Sequence, residues 1–195
     1  MRFILASASP RRYDILTGLG LSVSVAVPDV DEGSDITDPA KLTKELAGRK
    51  AAAIEKALDD LNDTVIIACD TVVACDGEIL GKPKDEADAE RMLGMLSGNT
   101  HTVVSGICVS SGGKTVTAHE ATSVRFARLT EKDIKTAVAL GNPLDKAGAY
   151  AIQGIASLWI EGITGDYFSV VGLPVNLLFR TLRNEFSIDI CDHIK

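Results

Sequence analysis

The chain has four cysteines, Cys69, Cys75, Cys108 and Cys191, and no C-x-x-C pairing among them, so neither a zinc site nor a disulfide framework is indicated. Buried thiols are the expectation. No apolar run approaches the ~20 residues that a membrane span needs, and Met1-Arg2-Phe3-Ile4-Leu5 turns polar too soon for a secretory signal. A cytoplasmic protein with no membrane partner is expected. Positive charge is scarce: 20 Lys and Arg against 27 Asp and Glu give a net charge of −7. That balance argues against a nucleic-acid polymer as partner, while leaving room for a small anion held by a few local cations. Internal repeats, linkers and low-complexity segments are also missing. At 195 residues, 46% hydrophobic and 24% charged, the sequence fits one domain over 1–195 with a sizeable core, which a deep cleft could divide into two lobes.

Against these absences, one short stretch stands out. Ser7-Ala8-Ser9-Pro10-Arg11-Arg12 lies between the apolar run Phe3-Ile4-Leu5-Ala6 and the helical pattern Tyr13-Ile15-Leu16-Leu19. A strand ends there and a helix begins, with Ser9 as N-cap, Pro10 in the first turn, and Gly18 and Gly20 as stops. Anionic side chains are preferred at a helix N-terminus. Two arginines there make sense if an external anion such as a chain of phosphates is bound between them. The same spacing also fits a capped surface helix with solvated arginines.

Further along, Leu21 to Pro28 reads as a strand that delivers Asp29-Val30-Asp31-Glu32-Gly33 to a loop, either a plain turn or a source of metal or base carboxylates. Asp38 caps a helix from Pro39 to about Asp60, on which Lys50 shares a row with Leu42, Leu46, Ile54 and Leu58. An inward cation either snorkels or meets something negative. Val65-Ile66-Ile67-Ala68-Cys69 reads as a strand buried on both faces that runs into Asp70-Thr71. Asp70 there either satisfies backbone donors at a bend or is a functional acid with a metal or cationic partner; the second is favoured, because an unpaired carboxylate is costly in such a place. Asp76-Gly77 makes a hairpin turn, and Lys82, restrained between Gly81 and Pro83, suits a phosphate contact or is merely solvated.

Asp85 caps the next helix, with Ala89, Met92, Leu93 and Leu96 inward, and a Val- and Thr-rich hairpin follows through Ser111-Gly112-Gly113. His101 and His119 lack partners in metal-ligand spacing and are taken as structural or surface residues. Thr130 to Asp133 is a capping-box variant. In Asp145 to Gly154, Gln153 offers both a donor and an acceptor, as reading a nucleobase edge requires, though an amide closing a turn would look the same. Ile155 to Ile163 alternates as a strand, and Val170 to Pro174 leads into a last helix ending near Phe186.

Six blocks, in order, carry a resemblance that runs almost the length of the chain: Leu5-Ala6-Ser7-Ala8-Ser9-Pro10-Arg11-Arg12, Cys69-Asp70-Thr71-Val72-Val73, Gly81-Lys82-Pro83, Leu96-Ser97-Gly98-Asn99-Thr100-His101, Asp145 to Gly154, and Val171-Gly172-Leu173-Pro174. Together they resemble the Maf family of nucleoside triphosphate pyrophosphatases, with Cys69 in place of the more usual Ala or Ser. The resemblance implies an α/β fold, a strongly bent mixed β-sheet with flanking helices and two lobes around a central nucleotide cleft, often assembled as a homodimer. It implies hydrolysis between the α and β phosphates of a nucleoside triphosphate with Mg²⁺ or Mn²⁺. Asp70 matches the family's proposed proton acceptor, and Ser7, Arg12, Glu32, Lys50 and Lys82 match positions of its triphosphate and metal site, with Glu32 and Asp70 as the expected metal ligands. Arg11, Thr71 and Gln153 match positions that separate subfamilies, and here they are similar to the dTTP and UTP branch. A pyrophosphatase with another base preference, modified pyrimidines included, or a non-catalytic nucleotide-binding regulator of cell division are the alternatives.

Overall fold

The apolar run Phe3-Ile4-Leu5-Ala6 forms the centre of strand β1 (Arg2–Ala6), buried on both faces as an apolar run without alternation requires. The computed structural model describes residues 1–194. Its remaining strands are β2 (Val23–Ala26), β3 (Thr64–Cys75), β4 (Glu78–Leu80), β5 (Thr100–Ser111), β6 (Lys114–Phe126) and β7 (Ile160–Thr164). The helices are α1 (Pro10–Gly18), α2 (Pro39–Ala57), α3 (Glu86–Leu96), α4 (Glu131–Gly141), α5 (Tyr167–Val171) and α6 (Val175–Phe186). The sheet is mixed: its order is β2-β1-β3-β5-β6-β7 with β4 on β3, β1 running parallel to β2 and β3, and β3/β4 and β6/β7 antiparallel. This is the expected α/β class with a mixed sheet and flanking helices. Among the described residues no helix is long and apolar enough to cross a membrane.

The chain divides into two compact units. The first takes Met1–Asp70, Ser105–Glu120 and the chain from Gly172; the second takes Thr71–Val104 and Ala121–Val171. In the first unit the alternation of β1 and β3 builds two cores. Phe3, Leu5, Val65 and Ile67 meet Leu16 of α1 and Leu178 and Leu182 of α6, whereas Ile4, Ala6, Ile66 and Ala68 meet Ala47, Ala51 and Ile54 of α2. Asp38 caps α2 as expected, its carboxylate accepting from the Lys41 N–H at 2.8 Å. The helix closes at Ala57, three residues earlier than the sequence pattern predicts. Its approach to β5 depends on Gly106: a Cβ there would lie 2.5 Å from the Thr43 carbonyl carbon, so any side chain would push α2 away.

In the second unit Val73, Leu80, Met92, Leu93, Leu96, Val124 and Phe126 form the core. The caps follow the sequence reading: Asp85 opens α3, and Thr130 and Asp133 form a reciprocal capping box on α4. His101 is buried, with its ring edge-on to Phe126 and Tyr150 and its Nε2 sharing a 2.7 Å hydrogen bond with the Tyr150 hydroxyl. Burial pushes the imidazole down to about 4 and the Tyr150 phenol upward.

Several local expectations give way. Ile155 to Ile163 is not one strand: Gly154, at φ 96°, turns the chain into a 3₁₀ helix over Ile155–Leu158 before β7 begins. The lead-in to the last helix contains α5, whose first amides are served by Asp166, the Ser169 N–H donating to its carboxylate at 2.6 Å. Ser9 occupies the N-cap of α1, yet its hydroxyl makes no capping bond. Cys191 is exposed, whereas Cys69, Cys75 and Cys108 are buried as expected.

Candidate active site

Asp70 does not sit at a bend. β3 runs through it without a break, and its carboxylate pairs with another element. Lys50 of α2 supplies the partner. Its Nζ lies 2.5 Å from Asp70 Oδ1 and 2.6 Å from Glu32 Oε1. Lys50 and Asp70 are each only 8% exposed, while the Glu32 side chain is about half exposed on its loop. The helical row that buries Leu42, Leu46 and Ile54 aims Lys50 inward, and the cation is paired there instead of snorkelling out. One ammonium between two carboxylates leaves the group a net charge of −1, and removing the lysine would strand a buried anion.

The start of α1 meets the end of β1 and the middle of β3. Arg12 donates from Nε to the Gly172 carbonyl at 2.8 Å, and from Nη1 to the Cys69 carbonyl at 2.7 Å and to Ser7 Oγ at 3.1 Å. The guanidinium thus ties the end of β1, the residue before Asp70 and the chain entering α6 into one corner. The Cys69 thiol adds a 3.1 Å contact to the same Gly172 carbonyl. Ser7 is buried, and its Oγ accepts from both Arg12 and the Ser9 N–H at 3.1 Å. With both lone pairs engaged, its own O–H proton is left to donate elsewhere. Arg11, in the first turn of α1, is half-buried.

Ser7, Arg12, Glu32, Lys50 and Asp70 therefore gather in the first unit. Thr71, Lys82 and Gln153 belong to the second. Thr71 is half-buried directly after Asp70, and Gln153 is exposed in the turn before Gly154. Lys82 is exposed on a loop whose Gly81 carbonyl accepts from the Gly148 N–H at 3.0 Å. That bond needs glycine at 148 twice over: φ is 66°, and a Cβ would come within 2.8 Å of Val73 Cγ2.

Among the described residues no group of three or more His, Cys, Asp and Glu side chains converges. The donor set that fits a hard divalent cation is the Glu32 and Asp70 pair, whose oxygens already bracket a positive charge. Mg²⁺ is commonly held by one or two carboxylates, with water and substrate phosphates completing its shell.

The family profile described as Maf-like protein matches residues 2–185. The chain belongs to the Maf family. Among proteins of that kind, it is similar to the dTTP/UTP pyrophosphatase of Symbiobacterium thermophilum, with 48% identity over 93% of this chain and 91% of that one. It is also similar to the dTTP/UTP pyrophosphatase of Bacillus cereus strain AH820, with 43% identity over 97% of each chain. Among solved structures, the Staphylococcus aureus Ham1 protein shares the fold, with a TM-score of 0.55 and 19% identity over 95% of this chain and all of that one. The Maf blocks read from the sequence include the Gly172 segment, but its carbonyl as the anchor of Arg12 was not legible there. Arg49, which grips the Glu32 loop, gave no signal, because beside Lys50 it reads as one more exposed charge.

Proposed function

We propose that this Maf protein is a nucleoside triphosphate pyrophosphatase that hydrolyses dTTP and UTP to the monophosphate and pyrophosphate, using Mg²⁺ or Mn²⁺. The observation that carries the reading is Asp70, a buried carboxylate held in mid-strand by Lys50 with Glu32 on the ammonium's other side. The names of the two bacterial relatives supply the substrate. In this reading Lys50 fixes Asp70 through Oδ1, and Oδ2 orients the attacking water or takes its proton. Arg12 holds Ser7 so that its hydroxyl donates to a phosphate oxygen. Glu32 and Asp70 would hold a divalent cation, which would supply positive charge to offset that of the phosphates, as in other phosphoryl chemistry.

The resemblance assigns further substrate contacts to Arg11, Lys50, Thr71, Lys82 and Gln153, each open to its own substitution. The reading extends to one catalytic domain over 1–195, acting in the cytoplasm as a homodimer on free nucleotides; light scattering on purified protein checks the dimer. A panel of nucleoside triphosphates assayed for pyrophosphate release with Mg²⁺ or Mn²⁺ tests the activity. dTTP and UTP should lead the panel, and Asp70→Asn should lower turnover by roughly 10²- to 10⁴-fold while nucleotide binding stays measurable. Saturable binding without any monophosphate formed would overturn the reading in favour of a nucleotide sensor.

A further inference from the structure

Glu32 sits in a stretch with no regular structure: between the end of β2 at Ala26 and the start of α2 at Pro39 there is neither helix nor strand. A half-exposed carboxylate on such a loop would keep little of the order that a bracket around Lys50 demands. Three contacts supply that order, and they converge on one side chain. Arg49 Nη1 donates to the Asp31 carbonyl at 3.1 Å and to the Gly33 carbonyl at 2.9 Å, the two peptide oxygens on either side of Glu32. Its Nε donates to Glu45 Oε1 at 3.0 Å, one turn back on α2, which steadies the guanidinium from behind. Within the loop, the Gly33 N–H donates to Asp31 Oδ1 at 2.8 Å and folds the backbone at Glu32.

We infer that Arg49 is a positioning residue that clamps the Asp31–Gly33 backbone and so holds Glu32 in place toward Lys50 and a divalent cation. Arg49 and Lys50 are adjacent on α2, so one short segment grips the loop twice, through its main chain and through its carboxylate. The planar guanidinium reaches both carbonyls while keeping Glu45; a lysine, a point charge on a flexible stem, cannot reproduce that fork. The clamp needs no substrate and touches no reacting atom. Its cation role rests on the proposed pyrophosphatase reading, but its effect on the loop does not.

The test compares wild type with Arg49→Gln and Arg49→Lys in three measurements: amide hydrogen exchange at residues 31 to 34 without metal, Mn²⁺ binding by calorimetry without nucleotide, and Mn²⁺ dependence of dTTP hydrolysis. Arg49→Gln should speed exchange of the Gly33 amide by roughly tenfold, the scale of losing charge-assisted hydrogen bonds at a partly exposed site. It should raise the Mn²⁺ concentrations for half-saturation of binding and of activity by a similar factor, leaving turnover at saturating Mn²⁺ within about twofold. Arg49→Lys should fall between. In a Glu32→Gln background the Arg49→Gln change should add nothing to the Mn²⁺ requirement, because the group it positions is gone. Exchange and Mn²⁺ binding that match wild type in Arg49→Gln would overturn the clamp. A wild-type protein that hydrolyses no triphosphate would overturn the proposed activity instead, and the exchange measurement would still judge Arg49.

Discussion

Enclosed by Tyr150 and Phe126, the His101 imidazole stays neutral in the folded protein down to about pH 4, against about 6.5 for an ordinary histidine. Between those values the unfolded chain binds a proton that the folded chain refuses, so stability is fully present above pH 6.5 and is lost as pH falls toward 4. Denaturant melts across that window should show a slope of roughly 1 kcal/mol per pH unit that His101→Gln removes; an unchanged slope would show that His101 is not its source. Residue-scale reading from sequence worked where periodicity forced a charge inward: Lys50 on an apolar helical row and Asp70 in an apolar strand both announced a partner, and the structure makes them partners of each other. It was blind where a side chain serves main-chain atoms distant in sequence. Arg12 reads as an anion-binding or solvated cation, and the engagement of its Nε and Nη1 with carbonyls 160 and 57 residues away was not legible. Ser9 stands at the N-cap that its type suits, but its hydroxyl makes no capping bond, and it is the Ser7 hydroxyl that accepts from the Ser9 N–H.

At the scale of elements, helix α2 carries Lys50 and Arg49, and its distance from the sheet is set at Gly106. Gly106→Ala should cost about 1 to 3 kcal/mol by overpacking, because the new methyl would overlap Thr43 backbone, which cannot swing aside as a flexible side chain can. It should also lower turnover beyond what lost stability explains, since shifting α2 moves Lys50 against Asp70; thermal melts and dTTP kinetics on the same preparation separate the two effects. Helix ends were legible because capping chemistry is local: Asp38, Asp85 and the Thr130/Asp133 pair all do what their types promise. The stretch Ile155 to Ile163 was not, since its alternation survives in the letters while Gly154 changes the backbone direction just before it. The short helix α5 escaped for a related reason: five residues offer too little periodicity to read.

For the whole molecule, the α/β class and mixed sheet are those the Maf resemblance implied, and the apolar runs and helix caps that compose them were readable one by one. Where the chain divides between its two units was not legible, because the units interleave: β3, β5 and β6 each contribute to both, so no linker or change of composition marks a boundary. The distribution of thiols offers a ruler for this organisation. Cys69 and Cys108 are buried in the first unit, Cys75 in the second, and Cys191 is open to solvent. A colorimetric thiol reagent should therefore count one sulfur at once and three more only as the protein opens, a burst and a lag that any plate reader can follow. Because Cys69 precedes Asp70 and leans on the Gly172 carbonyl, a variant in which two sulfurs react in the burst, with mass mapping naming Cys69 as the second, would betray a loosened β3 while the remainder stays shut.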